Sequence, residues 1–269
     1  MHFILELLQN ADDSEYRQST EPLLRISYHK DGIRFDANEI GFRKSDVEAL
    51  CSIGNSSKKK SPHSRKHIGN KGIGFKSVFG VSTSVFIASG EYTFKFSTGV
   101  PLGMLAPEWS PFPRLRRDGF TSIFLQLKPS VDGGRLIREL MDLDGRLLLF
   151  LHNIKRLEIE IEQTSDAVNN AHSLTVARRD EIYYPHELRV VSRDKSSSYL
   201  LIRHSISNMP AEDSRKRCTS SEIIFAFPIN LQASNLSIPT SGKPNKVYSF
   251  LPIRDYGFKV CPAPSRLSP

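Results

Sequence analysis

Cysteine is scarce in this 269-residue chain: Cys51, Cys218 and Cys261 are scattered with no Cys-x-x-Cys spacing. That pattern argues against both a disulfide framework and a zinc site, and three ordinary reduced thiols are expected. Long apolar runs are missing as well. The longest purely apolar stretches run only from Leu147 to Leu151 and from Ile223 to Phe227, far short of the roughly 20 residues that a membrane-spanning helix needs. Met1 is followed at once by an amphipathic pattern instead of a signal peptide, so an intracellular chain, cytoplasmic or nuclear and without a membrane partner, is expected. Trp109 is the only tryptophan and sits in the proline-rich stretch 101–113, where an aromatic side chain more often caps a core than binds a ligand. Acids are absent from 58–71, a stretch that carries Lys58, Lys59, Lys60, Arg65, Lys66 and Lys71 with His63 and His67, and so holds much of the net charge of +8. Such a run is usually a solvated loop. No aromatic residues interleave with it as stacking platforms for bases, which argues against nucleic acid as its partner.

What the chain does have is 39% hydrophobic residues, enough for one large domain or two smaller ones, and one conspicuous glycine-rich stretch. His67 to Phe79 places Gly69, Gly72 and Gly74 at GxxGxG spacing directly after the basic run and before an apolar helical pattern. Bare backbone N–H groups at a helix start form an anion cradle. Glycine suits that use because a Cβ would hold the backbone off a phosphate and forbid positive φ. A tight turn with no ligand explains the same spacing, so the reading depends on the residues upstream.

Residues His2 to Asp13 read as a short amphipathic helix with Phe3, Ile4, Leu7, Leu8 and Ala11 on one face. Glu6, Asn10 and Asp13 fall together on another stripe. An acid and an amide so placed suit a metal-nucleotide site, the carboxylate accepting a proton from water and the amide oxygen offering Mg²⁺ a hard ligand; a plain solvent face reads the same way. Strands over 23–28 and 33–36 follow, joined by the hairpin turn Lys30-Asp31-Gly32. The second strand delivers Asp36-Ala37-Asn38-Glu39-Ile40-Gly41 to its end, a polar cluster with one glycine, and a helix over 45–51 comes next. Strands are expected again over 84–89, 92–96 and 122–127, the last preceded by Thr121.

In order, the blocks ELLQNADD, DANEIGF and IGNSSK through IGNKGIGFKSVF resemble the nucleotide-binding motifs of the GHKL ATPases, the group of gyrase, heat-shock chaperones, sensor histidine kinases and MutL. The nearest likeness is to the NO VEIN type of Hsp90-like ATPase domain, with sacsin more distant. The resemblance implies a Bergerat-type α/β fold, an α+β two-layer sandwich, with ATP and Mg as cofactors. It implies Glu6 as the general base for water, Asn10 as the Mg-coordinating amide and Asp13 as a nucleotide contact. Gly69, Gly72, Gly74 and Phe75 match the phosphate-holding motif, Asn55 to Lys66, with Lys58, match the ATP lid, and Thr121 matches the threonine that supports the adenine side. Counting back from Gly41, the usual adenine-reading aspartate is replaced by Ala37, so Asp36 or Asn38 has to take over. The Asn38-Glu39 pair resembles the NO VEIN pattern and puts Asn38 first.

The expected organisation is an ATP-binding domain over 1–134 that begins inside its first-motif helix, a β-rich extension over 135–260 and a disordered tail over 261–269. A helical pattern over 135–151 and strands over 154–161, 199–204, 222–227 and 247–251 make up the extension. The expected function is Mg-dependent ATP binding with slow hydrolysis that couples lid closure to conformational change, completed by protein partners or further domains of a longer chain. A degenerate, non-catalytic nucleotide-binding or scaffold module is the alternative, and histidine-kinase activity is disfavoured by the lack of a phosphoacceptor helix upstream within these residues.

Overall fold

The apolar stripe of the first segment winds it into helix α1 (His2–Asp12) and buries Phe3, Ile4, Leu7, Leu8 and Ala11. In the computed structural model of the chain, residues 2–51, 74–162, 172–180, 187–192, 195–208, 221–232, 235–237, 245–249, 251–258 and 261–264 are described. They fall into two units. The first comprises Met1–Leu143 with His152–Thr175, and the second Asp144–Leu151 with Val176–Pro269.

In the first unit, α1 is followed by strands β1 (Leu23–His29) and β2 (Gly32–Ala37), helix α2 (Lys44–Cys51) and a 3₁₀ turn over Phe75–Gly80. Strands β3 (Ser82–Ser89), β4 (Tyr92–Ser97), β5 (Glu108–Trp109) and β6 (Thr121–Leu127) come next, then helix α3 (Gly133–Met141) and strand β7 (Arg156–Ile161). The sheet order is β7-β1-β2-β6-β3-β4-β5. Strand β7 runs parallel to β1 and every other pair is antiparallel, which makes a mixed α/β unit.

Because side chains alternate across a strand, the register assigns each residue to a face. Leu24 lies opposite Ala37 and Leu157, and Ile26 opposite Phe35 and Ile159. Leu125 lies opposite Val85, which in turn faces Phe96. Phe75 and Phe79 of the 3₁₀ turn pack edge-on against Phe96, with ring centroids 6.2 and 6.1 Å away, and the turn lies beside α1. This apolar face therefore carries the helical layer. The other face is charged: Arg25 bonds Glu158 at 2.6 Å and Ser27 bonds Glu160 at 3.1 Å.

The second unit is β-rich. It contains a 3₁₀ turn over Gly145–Leu149, most of β8 (His172–Asp180), β9 (Glu187–Ser192), β10 (Lys195–Ile206), β11 (Ser221–Gln232), β12 (Asn235–Ser237), β13 (Asn245–Ser249), β14 (Leu251–Phe258) and β15 (Cys261–Pro264). Strands β8 to β12 pair in chain order, each antiparallel to the next, while β13 and β14 form a separate two-stranded sheet.

Three expectations differ from what is observed. The glycine motif opens into a six-residue 3₁₀ turn, with Ser77 N–H donating to the Gly74 carbonyl at 3.0 Å and the Lys128 ammonium donating to the Phe79 carbonyl at 2.7 Å. The apolar pattern over 135–151 is broken into α3 and the second 3₁₀ turn, because Asp144 accepts from Arg146 N–H and starts a new cap before Gly145. Helix α3 and β7 belong with the first unit. Cys261 to Pro264, read as part of a disordered tail, pairs as β15 along β11. Its two prolines suit an outer strand, where missing N–H donors cost least. Among the described residues, no helix is long and apolar enough to cross a membrane.

Candidate functional site

Helix α1 carries Glu6 and Asn10 one turn apart, both half-buried. Gly74 closes against Glu6 from the 3₁₀ turn: a Cβ built on this glycine would overlap Oε2 of Glu6 and sit 3.1 Å from its Cδ. The glycine is not there for its backbone angles. Its φ of −63° and ψ of −43° suit any residue, so close approach of main chain to carboxylate is the reason, where the spacing had suggested positive φ. The Glu6 side chain is 23% exposed, with the His2 imidazole 3.7 Å away. A carboxylate in this position retains access to water and can accept a proton from it.

A second cluster lies at the end of β2. Gly41 has φ of +97°, a left-handed conformation that favours glycine, and it turns the Phe42 N–H onto Ser89 Oγ at 2.7 Å. Ser89 Oγ is 2.6 Å from Thr121 Oγ1, and Thr121 donates to Glu39 Oε1 at 2.5 Å. All three side chains are buried. Thr121 lies opposite Ala37 in the register and so belongs to the same sheet face as Phe35 and the helical layer that holds Glu6.

Asn38 and Asp36 stand elsewhere. The Asn38 amide is occupied by the main chain, accepting from Leu23 N–H at 2.8 Å and donating to the Glu21 carbonyl at 2.9 Å, so it fastens the start of β1 to the end of β2. Asp36 is fully buried on the charged face. It accepts from Arg34 Nε at 2.8 Å, Ser122 Oγ at 2.5 Å and Arg117 Nη1 at 2.6 Å. Alternation along β2 sends Asp36 and Ala37 to opposite faces, and the carboxylate is a structural counter-ion for two guanidinium groups. The residue of the second motif that does meet Thr121 is Glu39. The Asn-Glu pair was visible in the sequence, but not which member faced the threonine.

Asp12 is a further residue that the stripe on α1 does not reveal. It is 2% exposed and accepts from three successive backbone donors, His152 N–H at 2.8 Å, Asn153 N–H at 2.7 Å and Ile154 N–H at 2.9 Å. An acid in the last turn of a helix opposes the helix dipole, and this was the one available signal that Asp12 had a separate partner. The Tyr16 hydroxyl donates to the Ala11 carbonyl at 2.8 Å. Burial first, then the nearby charges of Glu39 and Asp12, push its pKa well above the ordinary value.

Of the other expected site residues, Asp13 follows α1 and is half-buried, and Phe75 is a buried core aromatic packed edge-on against Phe79 and Phe96. Lys58, with the lid expected over 55–66, and Gly69 and Gly72 of the expected phosphate-holding motif lie outside the described residues. Among the described residues, no group of three or more His, Cys, Asp or Glu side chains is placed to hold a metal ion. A Mg²⁺ held by one amide oxygen, with waters and phosphate oxygens, requires no such group.

Fold and site together define an α/β unit with a carboxylate closed on by a glycine and a buried acid-hydroxyl chain on the same sheet face. No protein-family model matches the chain. It is similar to Protein NO VEIN of Arabidopsis thaliana, with 29% identity over 278 residues covering 96% of this chain. The chain spans about a tenth of that protein's length, since the match covers 10% of it.

Proposed function

We propose that the first unit is a Bergerat-type nucleotide-binding domain of the GHKL class that binds Mg-ATP and hydrolyses it slowly. The observation that carries this reading is the approach of Gly74 to the Glu6 carboxylate. It brings the end of the glycine motif to the proposed general base, on the sheet face that also bears Thr121 and Glu39. Glu6 accepts the proton of the attacking water. Asn10 supplies a hard oxygen for Mg²⁺, and the ion, when bound, neutralises charge on the phosphate oxygens. Glu39, in place of Asp36 or Asn38, accepts from the exocyclic amine of the base. Its carboxylate has lone pairs enough to serve both Thr121 and a ligand. Coupling of turnover to protein partners or to further domains of a longer chain belongs to the same reading.

The test is calorimetric binding of Mg-ATP to the wild type and to Asn10→Ala and Glu6→Ala, with phosphate release measured in parallel. Expected are binding by the wild type, weakened binding by Asn10→Ala, and retained binding with turnover reduced about 10²- to 10⁴-fold in Glu6→Ala, the range for a lost general base. A folded wild type that binds no nucleotide would overturn the reading and leave a scaffold module that keeps the motifs without their chemistry.

A further inference from the structure

Residues 110–118 cross the charged face of the first unit's sheet as an irregular segment between β5 and β6. Two prolines and three arginines among nine residues leave the segment few N–H donors for a strand ladder, and none of its residues is buried. Guanidinium groups hold it down instead. Arg117 donates to the Asp36 carboxylate at 2.6 Å and comes within 3.8 Å of Glu160 on β7. Arg114 pairs with Asp31 in the β1–β2 turn and lies 5.2 Å from the centre of the Phe124 ring. Arg116 donates to the Gly90 carbonyl at 2.6 Å. From the sheet, Arg34 donates to the Leu115 carbonyl at 2.8 Å and lies 5.3 Å from the centre of the Phe112 ring. Each of these contacts has a guanidinium on one side. Leu115 itself is 90% exposed.

Two features make the segment separable from the sheet beneath it. One is its ends: the Ser110 N–H bonds the Thr93 carbonyl on β4 at 3.3 Å where the segment begins, and Gly119, with φ of +76°, turns the chain into β6 where it stops. The other is the fate of Asp36. When Arg117 leaves, the buried carboxylate still accepts from Arg34 Nε and Ser122 Oγ, so lifting the segment strands no unpaired charge inside the sheet. We propose that residues 110–118 are a strap latched by ion pairs, which opens as a unit while the sheet stays folded. Closed, it covers Asp36 and Phe124, both buried; open, it uncovers an acid and an aromatic ring on the outer sheet face. Exposed ion pairs are weak and are screened by salt, so ionic strength moves the latch. Opening needs no nucleotide.

The experiment is limited proteolysis of the full chain by chymotrypsin. Initial cleavage rates are read bond by bond by mass spectrometry and divided by the rate for a free peptide of residues 108–120 under the same conditions. The bond after Leu115 reports the strap, and the bonds after Phe94 and Phe124 report strands β4 and β6. Raising the salt from about 0.1 to 1 M shortens the Debye length from about 10 to 3 Å. Relative cleavage at Leu115 is expected to rise about three- to tenfold, the size of losing one or two exposed ion pairs, with no rise at Phe94 or Phe124. Asp36→Asn and Asp31→Asn are each expected to give a similar rise at low salt and a smaller further response when salt is added. The Asp31 side chain is 62% exposed, so Asp31→Asn carries the test if Asp36→Asn fails to fold. Cleavage at Leu115 that ignores both salt and Asp31→Asn would overturn the latch. Cleavage that rises in parallel at Phe94 and Phe124 would mean that the segment opens only with the sheet, and would overturn it equally.

Discussion

Replacing Gly74 with alanine separates the stability of the first unit from its chemistry. Gly74 has right-handed helical angles, φ −63° and ψ −43°, which alanine adopts without strain. A glycine-to-alanine change at a compatible position stabilises by about 0.4–1 kcal/mol through the unfolded chain. Against this, the new Cβ would overlap Oε2 of Glu6 and lie 3.1 Å from its Cδ. Those atoms end a flexible side chain that is 23% exposed, so Glu6 turns aside at a cost of about 0.5–1.5 kcal/mol if pushed from its rotamer. The two effects nearly cancel, and the net change in stability is expected within about 1 kcal/mol. If Glu6 is the general base proposed above, catalysis has no such compensation. Moving a catalytic group by about 1 Å costs on the order of 10²-fold in rate, so phosphate release should fall roughly that far. Thermal melting followed by circular dichroism and steady-state phosphate release on the same preparation give both numbers. Wild-type turnover in a folded Gly74→Ala would refute the pairing of Gly74 with a catalytic Glu6. A loss of stability well above 2 kcal/mol would refute the claim that Glu6 turns aside at little cost.

Asp12→Ala leaves three backbone donors, that of Ile154 buried, without their shared acceptor, and chemical denaturation should show a loss of about 1–3 kcal/mol, the range for leaving a buried donor unsatisfied. A loss under about 1 kcal/mol would mean that water replaces the carboxylate. Tyr16 gives a signed pH effect. Its pKa is raised above the ordinary 10.0, by burial first and then by Glu39 and Asp12. Its contribution is therefore complete below pH 10.0, and stability declines as pH rises above that value, where the unfolded chain releases the phenolic proton and the folded chain keeps it, by up to about 1.4 kcal/mol per pH unit. Equilibrium unfolding at successive alkaline pH values should show this slope in the wild type and a shallower one in Tyr16→Phe. Identical slopes would refute it.

The sequence by itself determined the local elements of the first unit. The apolar stripe that became α1 and the Lys30-Asp31-Gly32 turn that joins β1 to β2 are dictated by neighbours a few residues away, as is the alternation of Tyr92, Phe94 and Phe96 on β4. It also carried the likeness to Protein NO VEIN, since motif order and spacing are linear properties. Only the tertiary structure decided which polar residue goes where. Asp36 and Glu39 are both acids in one short motif, yet strand alternation and the partners Arg34, Arg117 and Ser122 claim the first, while Thr121 claims the second. Asp12 and Ser89 carried no local signal of which partners they take, because those partners, at 152–154 and at 42 and 121, are far away in the chain. Periodicity reports which face of an element is buried. What a buried polar group bonds to depends on which distant strand the sheet brings beside it, and that is set by the whole fold.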